Sequence, residues 1–368
     1  MRKLKICIIS AGAFPDHKDG SANYIRGLYD ALKSRGHDLT MLTAKWGDGF
    51  NDKNIITVDV PKRRILWVPK FYFKFRKYIK THDFDIIQGN GSRGSLPVMF
   101  TKKPYITLIH DMGPFEADFT KIPILKWLER RNANKAKQII TNSEITKTGI
   151  IEIMGGSKEK IHTVYCGYDP SFKPQPKRAK ELKQNLGIEG PVIYYVGRIA
   201  FYKGVDHIIE AYYHAKKEIP KLNLVIGGKP TLKMKDTVEK WKKENPDVNF
   251  VGLVKEEDMS TYYSMGDVFV TYSFASEGFG ITPVESIACG TPVICSTMPA
   301  YQEILQDNAI FVERQRPDLL AKAFIDFFHH PEKNQEMMTK ATEFIKRYTW
   351  DAVADRVEKV YENFLQGK

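Results

Sequence analysis

Ser276-Glu277-Gly278-Phe279-Gly280-Ile281-Thr282-Pro283-Val284-Glu285 lies between two apolar runs, Asp267-Val268-Phe269-Val270-Thr271-Tyr272 and Thr291-Pro292-Val293-Ile294-Cys295. Short apolar runs bounded by glycine and proline read as strands buried on both faces of a parallel sheet. Pro283 suits the first position of a helix, where its missing N–H would have no partner anyway. Glu285-Ser286-Ile287-Ala288-Cys289 continues that helix, and Gly290 is the residue type that closes one. Strand, glycine turn, short helix, strand is the repeating unit of a doubly wound α/β sheet.

The same turn carries chemistry. Gly278 and Gly280 let backbone amides come close to a ligand. The helix start adds a partial positive charge suited to a phosphate, with Ile281 and Thr282 just before it as donor-binding candidates. Glu277 and Glu285 bracket the turn, and carboxylates repel phosphates. They fit better as acceptors for neutral hydroxyls, such as those of a sugar or a ribose. An ordinary glycine-bearing turn with two solvated glutamates has the same composition.

A chain of 368 residues is long enough for about two domains, each with its own core. No stretch approaches the ~20 apolar residues of a membrane span. The apolar run after Met1-Arg2-Lys3 is too short for a secretory signal and reads as a first strand. Cys7, Cys166, Cys289 and Cys295 have neither metal nor redox spacing, which suggests buried thiols in a reducing cytoplasm. Charge is unevenly placed: residues 1–168 carry 29 Lys and Arg against 16 Asp and Glu, a balance of +13 in a chain whose net charge is +12. The whole excess therefore concerns a partner of the first half.

In the first half, Lys5–Ser10, a polar loop through Gly20, a helix Ala22–Ser34 capped by Ser21, and Asp38–Thr43 make a β-loop-α-β unit. Such loops lie at the carboxyl edge of the sheet, where open α/β sheets bind ligands. The dinucleotide fingerprint G-x-G-x-x-G is absent there, which argues against a dehydrogenase. Pro61–Lys80 is rich in Lys and Arg and has no acid. Its Val68, Phe71, Tyr72, Phe75, Tyr78 and Ile79 recur at helical spacing with the cations mostly opposite. A sheet-covering helix with a solvated basic face fits this pattern. So does an interfacial helix drawn to anionic lipid through Lys62, Arg63, Arg64, Trp67, Lys70, Lys74 and Lys77. Asp83-Phe84-Asp85 introduces the strand Ile86-Ile87-Gln88 and reads as a strand-entry turn rather than a metal site. His110 ends the strand Pro104–Ile109.

The second half opens with Val192–Val196 and Gly197-Arg198-Ile199-Ala200-Phe201-Tyr202-Lys203-Gly204, followed by the helix Val205–Lys217. Arg198 and Lys203 sit on the loop entering that helix, well placed to neutralise a diphosphate. Leu222–Ile226 with Gly227-Gly228, and Asn249–Val251 with Gly252, repeat the strand-then-glycine pattern. Two amphipathic helices, Pro317–Phe328 and about Asp351–Leu365, are expected to finish the chain.

Glu277 and Glu285, with seven residues between them and Gly-Phe-Gly after the first, resemble the paired-glutamate motif of the retaining, GT-B-fold glycosyltransferases of the large family four. The spacing of Arg198 and Lys203 is similar to the family's diphosphate-holding pair. The resemblance implies two Rossmann-like α/β domains facing across a cleft: an acceptor-binding domain over 1–169, and a nucleotide-sugar domain over 170–350 with a linker at 170–190. A helix over 351–368 would return to the first domain. It implies transfer of a hexose from a UDP- or GDP-linked donor with retained configuration and no cofactor or essential metal. Glu277 would hold sugar hydroxyls, and Gly278, Phe279 and Gly280 would offer amides. Glu285 would hold the ribose, Gly252 would lie against the base, and His110 would line the sugar. Gly20-Ser21 stands where the family often has two glycines that meet the donor phosphate. Pro299-Ala300-Tyr301-Gln302-Glu303 stands where it often has a glycine pair and a glutamate.

The basic, aromatic first half suits a lipid-linked glycan or cell-surface polysaccharide acceptor at the inner membrane face. A soluble enzyme acting on a small acceptor, a nucleotide-sugar epimerase and a basic nucleic-acid-binding protein are the other readings. No nucleic-acid motif accompanies the charge, so no nucleic-acid partner is expected.

Overall fold

The computed structural model describes residues 2–12, 20–45, 52–60, 67–115, 123–275, 277 and 279–367. The chain divides into two compact units, Met1–Gly167 with Trp350–Lys368, and Tyr168–Thr349. Each is a parallel sheet covered by helices on both faces.

In the first unit the strands are β1 (Lys5–Ser10), β2 (Asp38–Lys45), β3 (Ile55–Asp59), β4 (Ile86–Asn90), β5 (Ile106–Ile109), β6 (Gln138–Thr141) and β7 (Ile161–Thr163). They pair in the order β3-β2-β1-β4-β5-β6-β7. The helices are α1 (Gly20–Ser34), α2 (Trp67–Thr81), α3 (Gly91–Met99), α4 (Pro123–Lys135) and α5 (Glu144–Glu152). Strand residues alternate between faces. Ile6 and Ile8 of β1 join Ile25, Leu28 and Leu32 of α1 in one core. Cys7 and Ile9 join Phe71, Phe75 and Ile79 of α2, Met99 of α3, Ala133 of α4 and Ile150 of α5 in the other. Asp85 receives the backbone N–H of Lys5 at 2.8 Å, so the Asp-Phe-Asp stretch pins one strand start to the next.

The second unit begins with α6 (Pro176–Asn185) and continues through β8 (Val192–Val196), α7 (Val205–Glu218), β9 (Asn223–Gly227), α8 (Lys235–Glu244), β10 (Val248–Gly252), α9 (Met259–Met265) and β11 (Val268–Thr271). It ends with α10 (Ile281–Ala288), β12 (Val293–Ser296), α11 (Pro299–Leu305), β13 (Ile310–Val312), α12 (Pro317–His329) and α13 (Pro331–Phe344). Its sheet order is β10-β9-β8-β11-β12-β13. Ile193 and Tyr195 face α7 and α12, while Tyr194 faces the other way, edge-on to Tyr263 of α9.

The final helix, α14 (Trp350–Gln366), belongs to the first unit and packs beside α1. It buries Val353, Ala354, Val357, Val360, Tyr361 and Phe364, each contributing about 1.5–3 kcal/mol if aliphatic or aromatic. Arg35 bonds the carboxylates of Asp355 and Glu358, and the Tyr361 hydroxyl donates to Gln88 at 2.7 Å.

Several expectations need correction. The stretch 170–190 holds α6, because Pro176 can open a helix and Ala179 supplies a small buried contact. The first unit closes at Gly167 rather than at residue 169. Three helices, not two, finish the chain, since α13 is largely polar and buries only Ala341. α1 starts two residues early at Gly20, and α10 starts at Ile281 with Gly280 as its cap.

Candidate functional site

In the second unit the sheet order reverses direction between β8 and β11. That is the switch point at which open α/β sheets leave a crevice beyond their carboxyl ends. The loop after β8 carries Arg198 and Lys203, and the loop after β11 carries Glu277, so the order of the strands brings the two together.

Glu277 is held tightly. One carboxylate oxygen, Oε1, accepts from the Lys203 ammonium, from the Ser273 hydroxyl at 2.5 Å and from the Tyr301 hydroxyl at 2.9 Å. Tyr301 is buried on α11 and also bonds Thr271 at 2.9 Å and Ser273 at 3.2 Å. Burial, with the Glu277 charge beside it, raises the Tyr301 phenol well above its ordinary range, so it remains a proton donor. Gly280 adopts φ +76, and a Cβ there would meet the Tyr301 ring at 2.5 Å. Tyr301 therefore supports both the glycine turn and the acid in front of it.

Lys203 lies in a short 3-10 turn and reaches Glu277 with 18% of its side chain exposed. Gly204 ends that turn in the left-handed conformation, φ +62, and a Cβ would meet the Tyr272 carbonyl oxygen at 2.5 Å. Only glycine fits this close approach. Arg198 is exposed and donates to the Tyr202 hydroxyl at 2.6 Å.

Glu285 sits one helical turn into α10 and accepts from the Tyr263 hydroxyl at 2.9 Å. Burial pushes its carboxyl up to about 7, with the Tyr263 hydrogen bond pulling the other way. Phe279 is buried edge-on to Tyr348, and Ile281 and Thr282 form the first turn of α10. Gly252 ends β10 at φ +70, and its carbonyl accepts from the Gly228 N–H at 2.6 Å. Gly278 lies outside the described residues.

In the first unit the corresponding switch point falls between β1 and β4. Asn90 donates to the Ser10 hydroxyl at 3.1 Å and lies 2.7 Å from His110 Nε2. His110 is edge-on to Tyr24 at 5.2 Å. Gly20 is exposed at the start of α1. On α2, Lys70, Lys74 and Lys77 are exposed, whereas Trp67 is half-buried against Phe71. Lys62, Arg63 and Arg64 lie outside the described residues.

Sequence reading missed Ser273, Tyr301, Tyr263 and Asn90. Tyr301 had a signal: a large phenol in a stretch where a glycine pair was expected.

Two Rossmann-like units in one chain define the GT-B class. Residues 18–172 match the family model described as Glycosyltransferase Family 4, and residues 176–344 match Glycosyl transferases group 1. The chain belongs to the GT-B glycosyltransferases of family four. It is 26% identical to an alpha-monoglucosyldiacylglycerol synthase of Acholeplasma laidlawii, over 94% of each chain. It is 22% identical to a GDP-mannose-dependent alpha-(1-6)-phosphatidylinositol monomannoside mannosyltransferase of Mycolicibacterium smegmatis, over 88% of this chain and 89% of that one. Its fold matches that of Anabaena Alr3699/HepE, solved with UDP and glucose, at a TM-score of 0.80 with 19% identity, covering 98% of this chain and 100% of that one.

Proposed function

We propose that the protein moves a hexose from a UDP- or GDP-linked donor to a lipid-linked acceptor at a membrane face, with retained configuration and without an essential metal. The observation that carries this reading is the Lys203–Glu277 pair at the switch point of the second sheet, with exposed Arg198 on the same loop as Lys203. Two cations there stabilise charge on a departing diphosphate, the task a divalent metal performs elsewhere. When a donor enters, Lys203 exchanges its Glu277 contact for the phosphate, and the carboxylate turns to the sugar hydroxyls. Ser273 and Tyr301 keep Glu277 in place during that exchange. Glu285 takes the ribose hydroxyls, the start of α10 offers amides, and His110 lines the sugar. The departing phosphate takes the acceptor's proton.

The lipid acceptor draws on two supports: the +13 balance of residues 1–168, and relatives whose names include diacylglycerol and phosphatidylinositol. A small soluble acceptor is the competing assignment. Transfer from matched UDP- and GDP-hexoses to diacylglycerol and phosphatidylinositol vesicles, against soluble sugars, separates the two. Glu277→Ala and Arg198→Ala should each lower kcat about 10²-fold, and proton coupling of the product should show the donor's anomeric configuration. Near-wild-type rates in both variants, or an inverted product, contradict the proposal.

A further inference from the structure

On the outer side of the α2–α4 layer a run of rings joins two basic helices. Phe73 of α2 is 68% exposed and lies edge-on to Tyr72 at 5.1 Å. Tyr72 reaches Phe100, just past α3, at 6.3 Å, and Phe100 stacks with Trp127 of α4 at 6.5 Å. Guanidinium groups seat on this stripe: Arg76 over Tyr72 at 5.4 Å, and Arg131 over Phe100 at 4.9 Å and over Trp127 at 5.5 Å. Ile124 and Trp127 are 55% and 48% exposed. These apolar groups form a connected patch rather than scattered single residues.

Trp127, Arg130, Arg131, Asn134 and Lys135 line a cavity of about 420 Å³ along α4. The only acid of that helix, Glu129, turns to the Ser92 hydroxyl at 2.5 Å. Among the described residues, no carboxylate pairs with Lys126, Arg130, Arg131 or Lys135. The Arg131 Nε is buried without a hydrogen-bond partner. Arg130 donates to the Ile153 carbonyl at 3.2 Å, which leaves its charge uncompensated, and cations without a carboxylate around a hollow that Trp127 helps to wall suit an anion.

We propose that this face lies on an anionic bilayer and that the α4 cavity holds a phospholipid headgroup phosphate. The inference rests on the membrane reading of α2 and extends it to α4 and Phe73. A soluble phosphate gains nothing from exposed Phe73, Ile124 and Trp127, whereas the headgroup belt of a bilayer accommodates such side chains beside cations. Single-stranded nucleic acid stacks on open ring faces, whereas Phe100 is covered by Trp127 and Arg131 and the exposed Ile124 offers no ring to stack on.

The test is co-sedimentation of the full chain with phosphatidylcholine vesicles, with and without one-third phosphatidylglycerol, at low and high salt. Arg130→Gln with Lys135→Gln should weaken binding to anionic vesicles about 25-fold, at about fivefold per charge. Phe73→Ser should weaken it as well, with the thermal midpoints of all variants unchanged. Brominated lipid should quench the tryptophan emission of the wild type more than that of Trp127→Phe. Wild-type binding lost in Lys70→Gln with Lys77→Gln but kept in the α4 and Phe73 variants overturns this proposal and leaves the α2 reading standing. No wild-type binding at low salt removes both. Displacement from vesicles by millimolar glycerol phosphate makes the cavity a soluble-anion site, and a gel shift without vesicle binding makes the face a nucleic-acid surface. Either result overturns the lipid claim.

Discussion

At the scale of the residue, Glu277 is held through one carboxylate oxygen by Lys203, Ser273 and Tyr301. Tyr301 supplies one of the three donors to its Oε1 and packs beneath Gly280. Tyr301→Phe keeps the ring and removes only the hydroxyl. The loss of a hydrogen bond to a charged group should cost about tenfold in kcat/KM. That loss should shrink when the donor sugar lacks the hydroxyl that Glu277 reads, because the two deletions remove one interaction. Steady-state kinetics with deoxy-hexose donors reports this, and strictly additive losses contradict a positioning role. Glu285 gives a pH test. Its carboxyl stands at about 7 in the fold against 4.5 ordinarily, so the folded chain holds the proton more tightly. Stability therefore falls as pH climbs through that window and levels off above it. Glu285→Gln removes the slope. Its unfolding free energy relative to wild type should gain on the order of 1–3 kcal/mol between pH 5 and pH 8. A difference constant across that range, measured by urea titration, contradicts the burial argument.

At the scale of the element, α14 is a structural part of the first unit although it lies at the far end of the sequence. Phe364 is fully buried in the core shared with α1 and β1. Phe364→Ala should destabilise that unit by about 3–5 kcal/mol, read as an earlier transition in denaturant, while leaving the second unit's transition in place. Much of this layer was legible beforehand. The strands were visible because parallel strands buried on both faces are written as unbroken apolar runs, such as Val192–Val196 and Val268–Thr271. The amphipathic periods of α2, α12 and α14 were equally plain. α13 was not, because its polar surface leaves one buried alanine and no stripe. α6 was hidden by its Pro and Lys content, which reads as linker until a packing partner is known. The outward Phe73 was missed because it falls off the apolar period of α2. In the candidate site, Glu277, Arg198 and Lys203 could be found from the glycine turns. Ser273, Tyr301 and Tyr263 could not, because their partners are fixed only when the sheet order brings separate loops together.

At the scale of the whole molecule, charge and chemistry are divided between the two units. The first carries the net positive balance and the aromatic stripe, and the second carries the switch-point acids and cations. This division suits an enzyme that reads a small, anionic donor with one unit and approaches a large, charged acceptor surface with the other. It also sets the most direct test, because donor binding needs no knowledge of the acceptor. Calorimetric titration of UDP and GDP into the full chain, Lys203→Ala and Arg198→Ala should show one site in the wild type for the cognate nucleotide. The affinity should be at least about tenfold weaker in each variant, the loss of a charge-assisted contact. Equal affinity in all three proteins, or no binding of either nucleotide to the wild type, would contradict the claim that these two cations hold the donor diphosphate.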